Sequence, residues 1–364
     1  MTVVDLAPAG PTSEPAPGSD DRARRRSLAL GASALPLALL FVLNFVDEFD
    51  RVAFAALAPE IRDAFGLSDT GLSSLRAISG VLTLFAALPL GVLADRTHRV
   101  RLSVVAGFLW GICAVLTGVV GAVFLLFVVR LGSGLGRIIN EVVHPSLLGD
   151  LYPPRAHPRV FGVHRLANAV APVAGPVAGY IGAEYGYRAA FFVLAVPTGI
   201  VLVFALRLRE PHRGASVDPA LAAQQAGEAA IPFAEARRQL FAIRTLRRLW
   251  LGAFFFGLGT FQLDVLLSLY FENVYRFEAK GRGWVQFLGG AGLVAGLALG
   301  ARLASRASGA GDVRRLPVII GGAFAPFAAG MVILAVSPAS AVALVGAFLV
   351  FVGVGGYQPA YFTL

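Results

Sequence analysis

The sequence holds one lysine, one cysteine and two methionines in 364 residues, and only 15% of it is charged. Globular soluble chains carry about 25% charge. The lone lysine, Lys280, follows Ala279, so there is no Gly-Lys pair and no phosphate-cradling Walker A loop. That excludes an ATP-driven pump of the P-loop type. The lone cysteine, Cys113, has no second thiol for an intramolecular disulfide. His-Glu-x-x-His, Cys-x-x-Cys and Gly-x-Ser-x-Gly are also absent. Without them the chain lacks the usual metal, redox and serine-nucleophile constellations. We read it as a non-enzyme without a cofactor. His144 and His164 fall in different segments, four helical turns or more apart along the chain, and are not expected to share a metal.

What is plentiful is apolar surface. Hydrophobic residues make up 57% of the chain, and mean hydropathy is +0.72. Long apolar runs alternate with short arginine-rich breaks, the pattern of a polytopic membrane protein. The net charge is +9, nearly all from arginine. A basic balance often marks a nucleic-acid binder. Here the arginines gather in every second loop, which is the signature of membrane orientation, so no nucleic acid is expected.

Crossing the hydrocarbon core takes about 20 apolar residues as a helix. Ten segments qualify: Ser33–Ala58, Leu72–Ala94, Leu102–Gly121, Ala122–Leu148, Val160–Gly182, Ala189–Leu206, Leu249–Val274, Gly283–Leu303, Leu316–Val336 and Ala339–Phe362. The architecture expected is therefore an all-α helical bundle in a 6+4 arrangement. Residues 1–26 form a Pro/Ala/Ser-rich tail expected to be disordered and cytoplasmic, with no apolar signal region after Met1. Residues 27–206 form a six-helix bundle, 207–248 a cytoplasmic linker, and 249–364 a four-helix bundle. Arg22 to Arg26, Arg96, Arg99, Arg101, Arg155, Arg159, the linker, and Arg302, Arg306, Arg314 and Arg315 all fall on one side. The opposite loops carry Glu60, Arg62, Asp63, Asp69, Glu184, Glu272, Arg276, Glu278 and Lys280 and are neutral to acidic. The positive-inside rule puts the N-terminus and linker in the cytoplasm, and the protein in a bacterial inner membrane.

A charge at the bilayer centre costs roughly 2.5–3.5 kcal/mol, so intramembrane charges need partners or water and mark function. The first segment carries Asn44, Asp47, Glu48, Asp50 and Arg51, with 44, 47 and 51 on one helical face. The fourth carries Arg130, Gly134, Arg137, Glu141 and His144 at helical spacing, with Asn140 beside them. The seventh carries Gln262 and Asp264. Such stripes line a cavity; the alternative is a set of buried ion pairs that fix packing. At about 1.5 Å of rise per residue, Asp50 and Arg130 reach a similar depth, so Asp50 or Asp47 is expected to meet Arg130. Gly132-Ser-Gly-Leu-Gly136 looks like part of a dinucleotide fingerprint. It follows no strand, and helix packing is the better reading. The stretch Ala171-Pro-Val-Ala-Gly-Pro-Val-Ala-Gly179 is dense in small residues, which suits close helix packing or a moving element.

Gly91-Val-Leu-Ala-Asp95-Arg96-Thr-His-Arg99-Val-Arg101 resembles the signature between helices 2 and 3 of the major facilitator superfamily. Arg130-x-x-x-Gly134-x-Gly136 is similar to its helix-4 motif, and Gly175-Pro176-Val-Ala-Gly179 to its helix-5 motif. Asp50-Arg51, Pro59-Glu-Ile61, Trp110 and Gly186-Tyr-Arg188 resemble the spinster-like branch, in which helix 4 carries a glutamate tied to proton coupling. That position holds Arg137 here, with Glu141 one turn later. The resemblance implies twelve helices, two more than this chain supplies. It also implies a gate at Gly91, Asp95, Arg96 and Arg99, where Asp95 faces the far half of the bundle, and lipid-like substrates such as lysophospholipids or sphingoid molecules. The function expected is a monomeric secondary transporter, embedded in the lipid bilayer. It would move a small organic or amphipathic solute by alternating access with proton coupling. The alternatives are a degenerate, non-transporting sensor or scaffold, and a drug/proton antiporter of another branch.

Overall fold

A computed structural model describes residues 34–153, 156–211, 233–309 and 315–363. The tail expected at 1–26, with its arginines, lies outside the described residues, as do Arg155, Arg314 and residues 212–232 of the linker. The described residues are helical, with no strand among them.

The first half opens with α1 (Leu35–Ala56) and the short α2 (Ala58–Ala64). It continues through α3 (Asp69–Arg96), α4 (Arg99–Val119), α5 (Val123–Leu151), α6 (His157–Val170), a 3-10 turn (Ala171–Val173), α7 (Ala174–Tyr185) and α8 (Tyr187–Ala205). The connecting segment holds α9 (Phe233–Ala242). The second half comprises α10 (Arg244–Thr260), α11 (Leu263–Tyr275), α12 (Ala279–Gly309), α13 (Arg315–Val336), α14 (Ser340–Gly356) and α15 (Gln358–Thr363).

Among the described residues, eight stretches are long and apolar enough to cross a membrane. Two of the ten expected segments fall short for chemical reasons. α1 carries Asp47, Glu48, Asp50 and Arg51 within 22 residues, and the segment expected over Leu249–Val274 is not continuous. It begins at Arg244, stops at Thr260 and restarts at Leu263. The first segment is also broken near its end and two other expected segments are interrupted, two of these three breaks falling at a proline. Pro59, which has no N–H to continue the ladder, separates α1 from α2 after Leu57. Pro172 sits in the 3-10 turn that splits Val160–Gly182, and the last segment breaks at Tyr357.

The bundle has two ends. The linker face holds Leu35, Arg96, Arg99, Leu151 and Ala205; the far face holds Ala56, Asp69, Val119, Tyr185 and Tyr275. Ser68 caps α3 at the far face, its hydroxyl accepting the Gly71 N–H at 3.0 Å. Arg188 caps α4 there, donating to the carbonyls of Gly118, Val119 and Val120 at 3.1, 3.0 and 3.3 Å. That accounts for the arginine of the Gly186-Tyr-Arg188 motif.

Between apolar helices in lipid, close packing rather than the hydrophobic effect supplies attraction. In the first half α4 packs on α5 and α8, and α3 on α5; in the second, α14 packs on α12 and α13. The glycines of the 132–136 run serve this purpose. A Cβ would sit 2.7 Å from the Cys113 sulfur at Gly132 and 2.6 Å from the Ala106 carbonyl at Gly136. The halves meet chiefly where α7 crosses α12. There a Cβ on Gly179 would lie 2.3 Å from the Ala279 carbonyl, and one on Gly283 would lie 2.3 Å from that of Gly175. Backbone against backbone leaves nothing to move aside, so the small-residue stretch is a contact between halves. Around it, Ala53, Leu57, Ile61 and Phe191 share one apolar cluster with Val265, Leu269 and Ala279.

Candidate functional site

The acids of α1 sit at mid-depth and are buried. Asp50 meets Arg130 of α5 through two bonds of 2.9 and 3.3 Å. The same guanidinium lies over the Phe54 ring, 4.6 Å from its centroid. Glu48 accepts from Arg51 at 2.8 Å, from Asn168 of α6 at 3.1 Å, and from Arg137 of α5. Asp47 is held less closely: its contact with Arg137 is 3.5 Å. Asn44 completes the face, donating to Asn168 at 2.9 Å and to the His164 carbonyl at 3.2 Å.

Asp264 brings the second half to this network. The break after Thr260 places it in the first turn of α11, where one carboxylate oxygen accepts the Val265 N–H at 2.9 Å. Arg51 reaches it at 2.7 Å, and Arg76 of α3 contacts both oxygens at 3.0 Å. Gln286 of α12 donates to the Asp264 carbonyl at 2.8 Å and so ties the break to its own half. Asp264 is thus bound by two arginines of the other half.

These groups border a cavity of about 440 Å³. Its charged lining is Arg51, Arg76, Arg130 and Arg137 against Asp47 and Asp50, and Phe54, Leu75 and Phe261 supply apolar wall. Glu48 and Asp264 lie behind the arginines. The four arginines are matched by four carboxylates, but it is mainly guanidinium that faces the cavity. Guanidinium forks bind carboxylates and sulfonates through paired, charge-assisted bonds, so an anionic guest can compete with the carboxylates for them.

Around it, Asn140 accepts from Ser103 at 2.9 Å, and His144 lies 3.1 Å from the same hydroxyl. Glu141 is exposed, 3.9 Å from both Arg137 and Arg165. In the expected gate, Asp95 and Arg96 end α3 in exposed positions, and Gly91 has open space where a side chain would go. Arg99 is buried and pairs with Asp150 at 2.5 Å and Glu210 at 3.0 Å. The Glu210 carboxylate also accepts the Val100 N–H at 2.7 Å, which pins the start of the connecting segment.

His144 and His164, distant along the chain, touch: α5 and α6 are antiparallel neighbours, and the ring nitrogens lie 3.2 Å apart. Among the described residues no cluster of three ligands suits a metal ion. Sequence reasoning also passed over Arg76 and Asn168. The signal for Arg76 was present, an arginine four positions inside an apolar run. Asn168 gave none beyond its polarity.

A separate cluster joins the halves at the far face. Arg62 donates to Asp63 at 2.8 Å, to Asp69 at 2.6 Å and to both oxygens of Glu272 at 2.9 Å. The bonds to Asp63 and then Glu272 push its guanidinium pKa above the ordinary value, so it stays charged. Asn273 donates to Asp69 at 2.6 Å. Arg282 pairs with Glu60 and donates to the Ala56 carbonyl at 3.1 Å. Lys280 pairs with Glu184.

The sequence model of the Major Facilitator Superfamily matches residues 40–364. The chain is 27% identical over 258 residues to the "Probable sulfoacetate transporter SauU" of Cupriavidus necator, covering 67% of this chain and 58% of that protein. It is 28% identical over 192 residues to "Protein spinster homolog 1" of Xenopus laevis, covering 50% of this chain and 36% of that one. The chain thus spans less than two thirds of both relatives. Among solved structures, a bacterial homolog of the human lysosomal transporter Spinster, in an inward-facing and unoccupied conformation, superposes with a TM-score of 0.70. That match has 21% identity and covers 90% of this chain and 74% of the other.

Proposed function

Because the chain belongs to the Major Facilitator Superfamily, as a multi-pass membrane protein, and is similar to spinster proteins, we propose that it carries a small organic anion across the membrane by alternating access, coupled to protons. The observation that carries this reading is that four guanidiniums face the cavity beside an aromatic and aliphatic wall, while two of their carboxylate partners, Glu48 and Asp264, stand outside its lining. The name of the sulfoacetate relative fits such a guest. The lining favours a small anion over the lipid-like substrates of the spinster resemblance.

The chemistry follows from competition for a guanidinium. A carboxylate or sulfonate that docks on Arg130 displaces Asp50 from its bidentate partner. Asp50 is then left without its counter-charge and is the group placed to take up the proton that travels with the guest. Anion and proton thus enter together as a neutral pair, the form that crosses a low-dielectric interior at least cost. Once the guest leaves, Arg130 recaptures Asp50 and the proton is released.

The bridges at the far face support an inward-facing arrangement, with the linker face cytoplasmic in a bacterial inner membrane. Moving outward would require Arg62 to leave Glu272, and Arg282 to leave Glu60. Gly91, Asp95, Arg96 and Arg99 would then form the opposite gate.

The test is solute-driven proton flux in reconstituted vesicles, with small sulfonates and carboxylates offered beside amines and lysophospholipids. Anions added outside are expected to carry protons in with them and acidify the vesicle lumen, and Asp50→Asn to abolish the proton movement. An Asp50→Asn variant with unchanged flux removes Asp50 from the mechanism. Anion binding without flux in the unaltered chain favours the sensor reading.

A further inference from the structure

Beside the arginine-lined cavity lies a polar cluster that does not contribute to its wall. His144 of α5 and His164 of α6 are both buried, at 2% and 4% exposure. Their rings stand edge to face with centroids 5.3 Å apart, and His144 Nδ1 lies 3.2 Å from His164 Nε2. His144 Nε2 lies 3.1 Å from the Ser103 oxygen, whose hydroxyl donates to Asn140 at 2.9 Å.

With the Asn140 amide oxygen turned to Ser103, counting protons selects one set of tautomers. Ser103 has one hydroxyl proton and gives it to Asn140. Its oxygen must therefore accept, so the proton of His144 is on Nε2. A neutral imidazole protonated there has a bare Nδ1, which accepts from His164 Nε2–H. The donor chain runs from His164 to His144, Ser103 and Asn140, and it leaves His164 Nδ1 as the open basic nitrogen.

A void of about 10 Å³ adjoins the pair, bordered by Asn44, Asp47, Arg137, Glu141, His164 and Arg165 among others. That is room for one water molecule. Asp47 lines both this void and the large cavity. It is also the acid of α1 with slack, since Asp50 and Glu48 are each engaged at 2.9 Å or less while Asp47 stands 3.5 Å from Arg137.

We propose that His144, His164 and Asp47 form one proton site, in which the histidine pair holds a single extra proton and passes it through one water to Asp47 at the cavity wall. The transfer balances. The N–H bond at His164 Nδ1 breaks as water takes the proton, water gives its own to an Asp47 oxygen, and the pair returns to two neutral rings. The charged groups that face the site are Asp47 and Glu48 from α1, Arg137 and Glu141 from α5, and Arg165 from α6. On α4, Arg99 stands one turn before Ser103 and is already taken by Asp150 and Glu210. The proposal rests on the proton-coupled reading above, but its test needs no solute and so fails independently of it.

The experiment is imidazole nitrogen NMR on the full chain, labelled at histidine and held in lipid nanodiscs. Signals are assigned with His144→Gln and His164→Gln. Near neutral pH both rings are expected as Nε2–H tautomers, with His144 Nδ1 hydrogen-bonded. On acidification one proton enters the pair, not two. Asp47→Asn removes a neighbouring anion and is expected to lower the proton affinity of the pair about tenfold, one pH unit. Ser103→Ala is expected to release His144 from its single tautomer. Independent titration of the two rings, no titration between pH 8 and pH 4, or a midpoint unmoved by Asp47→Asn would each overturn the proposal.

Discussion

Arg62 and Arg99 are built alike and do different work. Each is an arginine at a helix end that gathers carboxylates, Arg62 at the far face and Arg99 at the linker face. The partners of Arg99 are Asp150 of α5 and Glu210. All three belong to the first half or its exit, so the cluster moves as one body. Arg62 reaches across to Glu272 in the second half. The first kind of cluster strengthens a rigid half; the second biases which way two halves lean. Burial separates them too: the Arg99 side chain is 3% exposed and that of Arg62 13%. A buried pair is costly to break, because the survivor stays charged in a poor solvent. A wetter pair is worth little and can open and close.

The largest effect is therefore expected from Arg99→Ala. Stranding Asp150 and Glu210 should cost about 3–5 kcal/mol, read as a lowered unfolding midpoint of the purified protein. Arg99→Lys should recover only part of it, since an ammonium cannot fork to two acids. An unchanged midpoint for Arg99→Ala would remove Arg99 from the stability of the first half.

A smaller effect of another kind is expected from Arg62→Ala. Its midpoint should barely move. The distance between spin labels at Ser68 and Glu278, in a Cys113→Ala background, should instead show about fivefold more of the separated far face, equivalent to about 1 kcal/mol. Exchanging the charges, Arg62→Glu with Glu272→Arg, should restore the closed distance. If the exchange fails to restore it while each single change opens the face, the Glu272 contact is not the one that matters.

The smallest effect is expected at Lys280. Its pair with Glu184 also crosses the halves, but the two side chains are 45% and 44% exposed. Solvent screens such a pair. Lys280→Ala should leave the spin-label distance unchanged; a shift as large as that of Arg62→Ala would show that crossing, rather than burial, sets the strength of these bridges.

Much of this was legible beforehand. The polar positions 44, 47 and 51, and 130, 137, 141 and 144, recur at the helical period, and period alone puts each set on one face. The depth of Asp50 and Arg130 followed from counting residues from the segment ends, and they meet at 2.9 Å. Counting cannot reveal where separate segments converge. Arg76 enters the site because a helix break turns Asp264 toward it, and no local pattern around Phe261 and Gln262 announces that break. The contact between His144 and His164 depends on how tightly the chain turns between α5 and α6, which sequence separation misjudges.

The bond from Arg282 to the Ala56 carbonyl has a consequence for the order of synthesis. Ala56 is the last residue of α1, and its carbonyl also accepts from Ser268 at 3.4 Å. Both donors are encoded more than two hundred residues later. While the ribosome is still making the second half, the end of the first helix must satisfy that oxygen with water, and Glu60 must stay hydrated beside it. The far end of the first half therefore matures only after the second half has been inserted. A nascent chain halted between the halves should keep that end open to water-borne reagents, however complete its six segments are.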